Sequence, residues 1–474
     1  MGKFLKLHKF SLLLLITGLF FYASFAFDLA REDFIKLLSL YTALFFLSWK
    51  LIQLEKVNFW FLALMALMFR FVFIAAVPNL SQDFYRFIWD GRLLLEGLNP
   101  YIYLPDDLIT RSNVPIAGAV ELYNGMGSLS AGNYTNYPPL NQLIFALSAL
   151  LAGKNILGSV IVMRLVVIAA DIGVLYFGKK LLESVGLPGY RIFWYILNPL
   201  VIIEITGNLH FEGVMVFFLV LSIYLIHTQR WILSAVAMAA SVLLKLIPLI
   251  FLPFLAFYFF NLRDSEKQRE WQKLIIYYFI VGAIIFAGFL PFLSARFING
   301  FTSSISLWFQ KFEFNASIYY VVRWIGFQVK GYNIIETAGK ILPVLIILIF
   351  AALAFFRRNY TTKGLITTML FAATVYFFLS TTVHPWYLIT PLFLSIFSPF
   401  RYMIIWSFLV ILSYFTYSNP DFNENLWLVA IQYVIVMGYF AWELFKGTRA
   451  NIIPGPEPTG GSKTLPSFKG GVDA

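Results

Sequence analysis

The sequence predicts an all-α polytopic membrane protein, and three observations lead to that prediction. Of the 474 residues, 60% are hydrophobic and only 12% are charged, whereas charged residues make up about 25% of a soluble domain. The apolar residues gather in many stretches, each close to the roughly 20 residues that a helix needs to cross a bilayer. The basic residues gather in alternate connections between those stretches. A soluble enzyme, a coiled coil and a disordered protein are therefore excluded.

The apolar stretches define a bundle of about 12–14 transmembrane helices. They cover residues 10–27, 34–53, 59–77, 157–178, 190–206, 211–227, 231–244, 246–260, 273–295, 333–356, 362–381, 385–399, 401–418 and 426–445. A further stretch, residues 139–152, follows Pro138 and is short for a complete crossing. We expect it to form a half-helix or a re-entrant element, which is tolerated where the rest of the chain buries it.

The positions of the basic residues orient this bundle. Lys plus Arg total 35 against 24 Asp plus Glu, a net charge of +11, and cytoplasmic connections are the ones enriched in basic residues. With a cytoplasmic N-terminus, every basic cluster in a short connection falls on the cytoplasmic side. Residues 78–138 contain no lysine and fall on the outer side, as does a second large loop, 296–332, which contains Lys311, Arg323 and Lys330. Any chemistry is therefore expected at the outer face.

Residues 1–445 are predicted to form one transmembrane domain that includes both outer loops. The start of the chain also resembles a signal peptide, because lysines precede the apolar run Phe10–Phe21 and Ser24-Phe25-Ala26 follows it. We favour an uncleaved helix. Residues 446–474 are rich in Gly, Pro, Ser and Lys, which predicts a disordered cytoplasmic tail.

The composition also limits the cofactors and partners. The chain contains no cysteine, so a disulfide, a thiolate nucleophile and a Cys-ligated zinc site are excluded. No metal and no other cofactor is predicted. A charge of +11 would suggest nucleic acid in a soluble protein, but here it follows from the cytoplasmic basic clusters. We therefore predict membrane lipids as partners, and no nucleic acid.

The first outer loop opens with a predicted amphipathic helix at the membrane surface. Ser81 is placed to cap its start, and Asn99-Pro100 is placed to stop it. On such a helix Asp83, Arg86 and Asp90 project within about 60° of one another. The helix would thus present a carboxylate above the bilayer. The alternative is a surface helix whose charges form only i,i+3 and i,i+4 ion pairs.

A second cluster lies at an expected outer turn between two membrane helices, after Asn198-Pro199. It contains Glu204, His210 and Glu212. We place His210 and Glu212 in the first turn of the following helix, where the helix dipole favours an ionised Glu212 and a neutral histidine. The alternative is a capping and interfacial-solvation role for these groups.

Two more clusters fall at expected outer turns. Lys245, followed by Leu246-Ile247-Pro248, would provide a phosphate site there, the alternative being a lysine that snorkels to the interface. His384, followed by Pro385-Trp386-Tyr387, lies at a turn that proline fixes, the alternative being an aromatic-belt turn with a hydrogen-bonded histidine.

Three further charges, Arg70, Arg164 and Asp171, lie inside predicted helices. Arg164 and Asp171 are seven residues apart and share a helix face. We expect a structural charge pair.

Together these clusters suit transfer from a phosphate leaving group. Asp83 is the expected general base, because a base must reach a hydroxyl and stay ionised. Cations would stabilise the departing phosphate, and the candidates are Lys245, Arg86, Arg92 and the basic second loop. An enzyme with its site at the outer face lacks access to nucleotide sugars, so the expected donor is a lipid-linked phosphosugar.

The motifs in residues 60–400 resemble those of GT-C glycosyltransferases, above all polyprenol-phosphate-mannose-dependent mannosyltransferases and related bacterial enzymes. In chain order they are Asp83-Phe84-Tyr85-Arg86, Trp89-Asp90-Gly91-Arg92, Gly97-Leu98-Asn99-Pro100-Tyr101, Tyr137-Pro138-Pro139-Leu140, Asn198-Pro199, Gly207-Asn208-Leu209-His210, Lys245-Leu246-Ile247-Pro248 and His384-Pro385-Trp386-Tyr387.

This resemblance implies a GT-C-like bundle with a large first extracytoplasmic loop and an inverting transfer in which Asp83 is the base, with Asp90 as the second choice. It implies a polyprenyl-phosphate-linked sugar donor, with mannose favoured, and a lipid, glycan or protein hydroxyl as acceptor. It also implies a bacterial inner (cytoplasmic) membrane, with the active site on the periplasmic side. His384 assists catalysis in this hypothesis. The substrate-binding residues are Asp90, Arg86, Arg92, His210, Glu212, Lys245 and Tyr387.

One motif departs from the family pattern. Relatives often have His-Asn-Asp where this chain has His210-Phe211-Glu212, so the acceptor and the sugar stay open. Two other functions also stay open. A transporter or flippase of lipid-linked sugars would place its charges near the membrane midplane, and a polysaccharide polymerase or ligase would be expected to have its long loop late in the chain.

Overall fold

The computed structural model describes residues 8–260, 267–357 and 359–452. Within those ranges the fold is helical, and the single β interaction is an isolated bridge between Phe314 and Thr382. The N-terminal part contains α1 Lys9–Phe27, α2 Phe34–Glu55, α3 Phe59–Phe71, α4 Asp83–Leu95, α5 Pro105–Ile109, α6 Ala119–Ala131, α7 Pro139–Ala152 and α8 Ile156–Ser184. The prediction of an all-α polytopic membrane protein is confirmed.

The middle of the chain is built from shorter and more irregular pieces. These are a 3-10 turn Gly189–Ile192, α9 Phe193–Ile196, α10 Pro199–Val201, a π-helical segment Ile202–Gly207, α11 Glu212–His227, α12 Trp231–Leu244, a 3-10 segment Ile247–Phe254 and α13 Leu255–Phe260.

The C-terminal part returns to long helices. It contains α14 Lys267–Phe289, a 3-10 turn Leu290–Phe292, α15 Ala295–Gln310, α16 Ile318–Lys330, α17 Ile335–Phe356, α18 Thr362–Leu379, a 3-10 turn Pro385–Leu388, α19 Ile389–Ser395, α20 Tyr402–Leu409, a 3-10 segment Val410–Ser418 and α21 Leu426–Ile452. Helix α21 extends beyond residue 446, where the disordered tail was predicted to begin. Residues 453–474 of that predicted tail lie outside the described residues.

In the part of the chain that the structure describes, seven helices are long and apolar enough to cross a bilayer, namely α1, α2, α8, α14, α17, α18 and α21. An eighth span would be the pair Pro199–Gly207 and Glu212–His227, which is bent by 114°. The remaining predicted crossings coincide with shorter or broken apolar helices, such as Trp231–Leu244 and Tyr402–Ser418. Broken helices at membrane depth are tolerated where they are buried in protein or line a cavity.

Helix α4 begins and ends close to the predicted positions, but beyond Asp83 its polar face is buried. Arg86, Asp90 and Arg92 are buried together with its apolar residues. The α7 backbone comes so close that a Cβ on Gly91 would lie 2.2 Å from the Phe145 carbonyl oxygen. Periodicity predicts a polar face correctly, yet it does not reveal that α6 and α7 cover it.

The expected pairing of Arg164 with Asp171 is wrong. Asp171 accepts a hydrogen bond of 2.7 Å from Nε of Arg70, and both side chains are 2% exposed. Arg164 instead donates to backbone carbonyls, including those of Thr206 at 2.8 Å and Gly207 at 2.9 Å. Two charges on one helix face lie close together, but they need not pair. The N–H groups of a guanidinium can instead donate to the carbonyls that a helix break leaves free.

Candidate active site

The bend between α10 and α11 positions His210. The side-chain oxygen of Asn198 accepts a hydrogen bond from the Leu200 N–H at 3.0 Å, which caps the short helix after it. The π-helical segment then ends at Gly207, where Arg164 holds the last carbonyls. Leu209 has a left-handed φ of 62°, which turns the chain sharply. His210 therefore precedes α11, instead of lying in its first turn as predicted, and Glu212 is the first residue of that helix.

His210 lies between two carboxylates. Its Nε2 is 3.8 Å from Oδ2 of Asp83, and its Nδ1 is 3.2 Å from Oε2 of Glu204. The side chain of Glu204 is fully buried, that of His210 is 2% exposed, and that of Asp83 is 37% exposed. Asp83 is thus the member of this group that solvent or a substrate reaches.

Glu204 is fixed by two further donors. Its Oε1 accepts a hydrogen bond of 2.7 Å from Tyr414, and its Oε2 accepts one of 3.1 Å from the Asn208 side chain. Its carbonyl also accepts the backbone N–H of His210 at 3.2 Å. A buried carboxylate needs such partners to remain in place. Glu204 therefore orients the imidazole from the side opposite Asp83.

Tyr137 is the second partner of Asp83. Its hydroxyl donates to Oδ2 of Asp83 at 3.3 Å. Burial raises the pKa of Tyr137 well above its usual range, and the negative charges of Asp83 and Glu212 raise it further. The phenol therefore keeps its proton and serves as a hydrogen-bond donor to the carboxylate that it contacts.

A stack of aromatic rings joins His210 to His384. The indole of Trp386 lies 3.8 Å from the His210 ring at an interplanar angle of 22°, and 4.4 Å from the His384 ring at 3°. Phe314 covers the imidazole of His384 at 4.8 Å and 27°. These four residues, the histidine stack, bring together three separate parts of the chain.

The second outer loop reaches this stack through the isolated β-bridge. The N–H of Phe314 donates to the Thr381 carbonyl at 3.1 Å, and its carbonyl accepts the N–H of Val383 at 2.9 Å. This pairing fixes the Phe314 ring beside His384. The loop also joins the first outer loop, since the hydroxyl of Ser304 donates to the Tyr134 carbonyl at 2.6 Å.

The environment of His384 favours its neutral form. Burial lowers the pKa of His384 well below its usual range, and the nearby positive charges lower it further. These charges belong to His210, Lys245 and Arg31. A neutral imidazole has one N–H donor and one acceptor nitrogen, so His384 is able to donate a hydrogen bond to an anion.

Lys245 forms an ion pair with Glu212. Its side chain is 25% exposed whereas that of Glu212 is 4% exposed, so the lysine is the accessible partner. Its ammonium also lies 5.1 Å from the centre of the Tyr387 ring. An ammonium has three N–H donors, and those not used by Glu212 are available to a ligand.

Three predicted binding residues hold the first loop together. Nε of Arg86 donates to Asp90 at 2.8 Å, and Nη1 donates to the carbonyls of Ser130 and Asn133 at 2.5 Å and 2.9 Å. The other oxygen of Asp90 accepts from Gln142 at 3.1 Å. Arg92 donates to the carbonyl of Ala117. These buried groups bind the protein itself, and a loop-supporting role suits them better than contact with a substrate.

The second loop contributes less free charge than its sequence suggested. Arg323 forms an ion pair with Glu313, which also accepts a hydrogen bond of 2.6 Å from Tyr319.

Across the described ranges, no group of three or more His, Asp and Glu side chains is arranged to hold a metal ion.

The sequence analysis did not single out Arg31. Its guanidinium carbon lies 3.3 Å from the centre of the Tyr417 ring, and its charge reaches His384. It lies in the short connection between α1 and α2, on the predicted outer side. That position was the one available signal, because nothing in the neighbouring sequence distinguishes this arginine.

Comparison with known proteins identifies a matching family and two relatives. Residues 26–261 match the family described as Alpha-(1->6)-mannopyranosyltransferase, N-terminal domain. The N-terminal part of the chain is therefore similar to this family. The expected resemblance to mannosyltransferases is thereby confirmed. The matched region contains Asp83, His210, Glu212 and Lys245, whereas His384 follows it.

Two curated relatives are both named Alpha-(1->6)-mannopyranosyltransferase A. The one from Mycobacterium tuberculosis is 23% identical over 270 residues, which cover 56% of this chain and 48% of the relative. The one from Corynebacterium glutamicum is 25% identical over 185 residues, which cover 38% of this chain and 35% of the relative. The chain thus matches about half of the first relative's length and about a third of the second's.

Proposed function

We propose that this protein is an integral membrane mannosyltransferase that transfers mannose from a polyprenyl-phosphate-linked donor to a hydroxyl acceptor, with inversion. The observation that carries the proposal is the environment of Asp83. Its carboxylate is accessible, has Tyr137 as a donor and His210 beside it, and lies in the region that matches the mannosyltransferase family. An accessible and oriented carboxylate has the placement that a general base requires.

In the proposed reaction, the acceptor hydroxyl lies between Asp83 and the anomeric carbon of mannose. Asp83 takes the proton as the acceptor oxygen forms its bond to that carbon. The bond between the anomeric carbon and the phosphate oxygen breaks on the opposite face, and its electron pair leaves with the polyprenyl phosphate. The single displacement inverts the anomeric configuration. The leaving phosphate needs cations instead of a proton, so a second, acidic carboxylic acid of the glycosidase kind is not required.

The departing phosphate would be held by Lys245, with Arg31 and His384 as further contacts. Lys245 is the accessible partner of its ion pair, and charge-assisted hydrogen bonds to phosphate are among the strong ones. Neutral His384 would donate its N–H. Arg86 and Arg92, which the sequence suggested as phosphate-binding residues, are less suitable for this role. Their guanidinium groups donate to Asp90 and to backbone carbonyls.

His210 and Glu212 would position sugar or acceptor hydroxyls. Both lie at the 114° bend, within the matched region, and Glu212 also keeps Lys245 in place. Tyr387 would offer its ring beside Lys245. Arg86, Asp90 and Arg92 would act at a distance, by keeping α4 fixed against α6 and α7.

The linkage is proposed from the names of the two relatives, which are Alpha-(1->6)-mannopyranosyltransferases. An inverting enzyme that forms an α linkage requires a β-linked donor, so β-configured polyprenyl-phosphate-mannose is the donor to test. The acceptor would be a 6-hydroxyl of a lipid-linked or polymeric glycan. The proposed lipid donor and the alternating basic connections support a reaction at the outer face of a bacterial inner membrane.

The test measures transfer from radiolabelled polyprenyl-phosphate-mannose into membrane lipid extract by the purified protein. Wild type is compared with Asp83→Asn, which is isosteric and lacks the basic group. The matched control is Asp107→Asn, an exposed position in the same outer loop. We expect transfer by wild type and the control, and at least a thousandfold loss in Asp83→Asn with donor binding retained. Mass analysis of the product would identify the acceptor.

Each other result has a separate meaning. Transfer by Asp83→Asn at the wild-type rate would show that Asp83 is not the base. Donor binding without transfer by wild type would point to an acceptor absent from the extract. Absence of donor binding would redirect the search to other lipid-linked sugars, and then to the transport of such lipids.

A further inference from the structure

A cavity of about 1040 Å³ lies far from the histidine stack. Its walls come from the second half of α2, the residues around Trp194, the connection between α19 and α20, and Tyr439 of α21. Phe45, Phe46 and Trp49 form one apolar wall. None of these residues contributes to the candidate active site.

Two helical segments show that this cavity and the active site lie at opposite ends of the bundle. Helix α2 starts just after Arg31 and extends for 22 residues, roughly 33 Å, and its last turns line the cavity. The segment Tyr402–Ser418 contains Tyr417, the partner of Arg31, near one end, and Arg401 at the rim of the cavity precedes the other. The cavity therefore opens at the end that the basic residues assign to the cytoplasm.

Three cations line this largely apolar cavity, namely Lys56, Arg191 and Arg401. No salt bridge joins any of them to a carboxylate in the part of the chain that the structure describes. Arg191 donates to the carbonyls of Ile396 and Ser398, each at 3.3 Å.

The carboxylate of Glu443 interacts with Arg401 and offsets part of this positive charge, one negative group against three cations. Glu443 accepts hydrogen bonds from the backbone N–H groups of Arg401, at 2.8 Å and 3.0 Å, and Tyr402, at 3.0 Å. Its carboxylate is thus committed to the start of α20. The rim keeps an excess of positive charge.

We propose that this cavity binds one anionic glycerophospholipid of the cytoplasmic leaflet. The headgroup phosphate would contact Arg191, Arg401 and Lys56, because guanidinium and ammonium groups form charge-assisted hydrogen bonds with phosphate. The acyl chains would lie along the wall formed by Phe45, Phe46 and Trp49. Basic pockets between membrane helices on the cytoplasmic side are typical sites for anionic headgroups.

Charge complementarity favours this occupant over two others. A second copy of the chain in a two-fold contact would bring the same three cations to face themselves. A free phosphate ion would satisfy the cations but would leave the large apolar wall in contact with water. An anionic lipid satisfies both parts of the cavity.

The test is native mass spectrometry of the full-length protein in detergent, titrated with dioleoyl-phosphatidylglycerol or dioleoyl-phosphatidylcholine. We expect one phosphatidylglycerol to be retained, with at least tenfold tighter binding than phosphatidylcholine. The double variant K56Q/R401Q should bind phosphatidylglycerol roughly 30-fold more weakly, from the loss of two cations. The matched control K363Q, an exposed lysine near the same end of the bundle, should bind as wild type does.

Several outcomes would overturn the proposal. They are equal binding of the two lipids, unchanged binding by K56Q/R401Q, equally tight binding of soluble glycerol phosphate, and a two-chain species without lipid. The charge-conserving variant K56R/R401K should retain phosphatidylglycerol binding. Loss of binding in that variant would also count against the site. If the double glutamine variant does not fold, the single K56Q substitution at an exposed position provides the test. Lipid retention does not depend on glycosyl transfer, so this test and that of Asp83 fail separately.

Discussion

The indole of Trp386 lies parallel to the imidazole of His384, with ring centres 4.4 Å apart and planes 3° apart. The same indole lies 3.8 Å from the ring of His210, which in turn lies beside Asp83. The indole thus fixes the spacing between the turn after α18 and the bend before α11. In the proposed reaction, that spacing separates the base from the groups that hold the phosphate.

We predict that Trp386→Leu weakens both catalysis and stability. Each lost aromatic contact contributes about 0.5–1.5 kcal/mol, so two such contacts predict a loss of about 1–3 kcal/mol in the free energy of unfolding. We expect kcat to fall by about ten- to a hundredfold, because a displacement of reacting groups by about 1 Å can lower the rate to that extent. Trp386→Phe should keep most of the activity. Trp427→Leu, at an exposed position of α21, is the control. Equal effects at Trp386 and Trp427 would contradict a role for the stack.

Lys245 offers a direct test of phosphate binding. A hydrogen bond to a charged group contributes about 1.5–3 kcal/mol, so Lys245→Gln should reduce kcat/KM for the polyprenyl-phosphate donor by about ten- to a hundredfold. Lys154→Gln, at an exposed position outside the site, should have no effect. The double variant E212Q/K245Q separates the two roles of this lysine. If the double variant recovers wild-type kcat/KM, Lys245 serves only to neutralise Glu212 and does not bind phosphate.

The buried pair of Arg70 and Asp171 should dominate the stability of the bundle around α8. Removing one partner of a buried ion pair leaves an uncompensated charge and costs about 3–5 kcal/mol. We therefore expect Arg70→Met to lower the melting temperature sharply, and R70M/D171L to recover part of the loss. Full recovery is not expected, because Arg70 also donates to the carbonyls of Ala66 and Ile196. A double variant less stable than Arg70→Met would contradict this account.

The sequence predicted the helical bundle well because its signal is local. The composition of each apolar stretch is enough to indicate that it is buried. Even the irregular stretch 190–206 was recognised from its composition as a membrane segment. What composition missed was the form of that stretch, which contains a 3-10 turn, two short helices and a π-helical segment. Such breaks depend on partners distant in sequence, here Arg164, whose guanidinium holds the Thr206 and Gly207 carbonyls.

Part of the candidate site could also be predicted, because its motifs are local in the sequence. The motifs identified Asp83, His210, Lys245 and His384, and the structure places the first two 3.8 Å apart. The roles of Arg86 and Asp90 could not be read in the same way, since helical spacing shows that they are neighbours but not that α6 and α7 cover them. Arg31 reaches the site only through tertiary packing on Tyr417.

The buried, neutral state of His384 predicts a specific dependence of stability on pH. Its pKa is lowered in the folded protein, whereas in the unfolded chain it is near 6.5. Below pH 6.5 the unfolded state therefore binds a proton that the folded state does not bind. The contribution of His384 to stability is present above pH 6.5 and decreases as the pH falls, by at most about 1.4 kcal/mol per pH unit.

The measurement compares wild type with His384→Asn, which cannot bind this proton. Between pH 7.5 and 6.5 the difference in unfolding free energy between the two proteins should change little. Between pH 6.5 and 5.5 it should move in favour of His384→Asn by about 1 kcal/mol, because only the wild type loses stability through this group. Parallel profiles down to pH 5.5 would mean that His384 is protonated in the folded protein as readily as in the unfolded chain. In that case His384 would meet the leaving phosphate as a cation and not as a neutral donor.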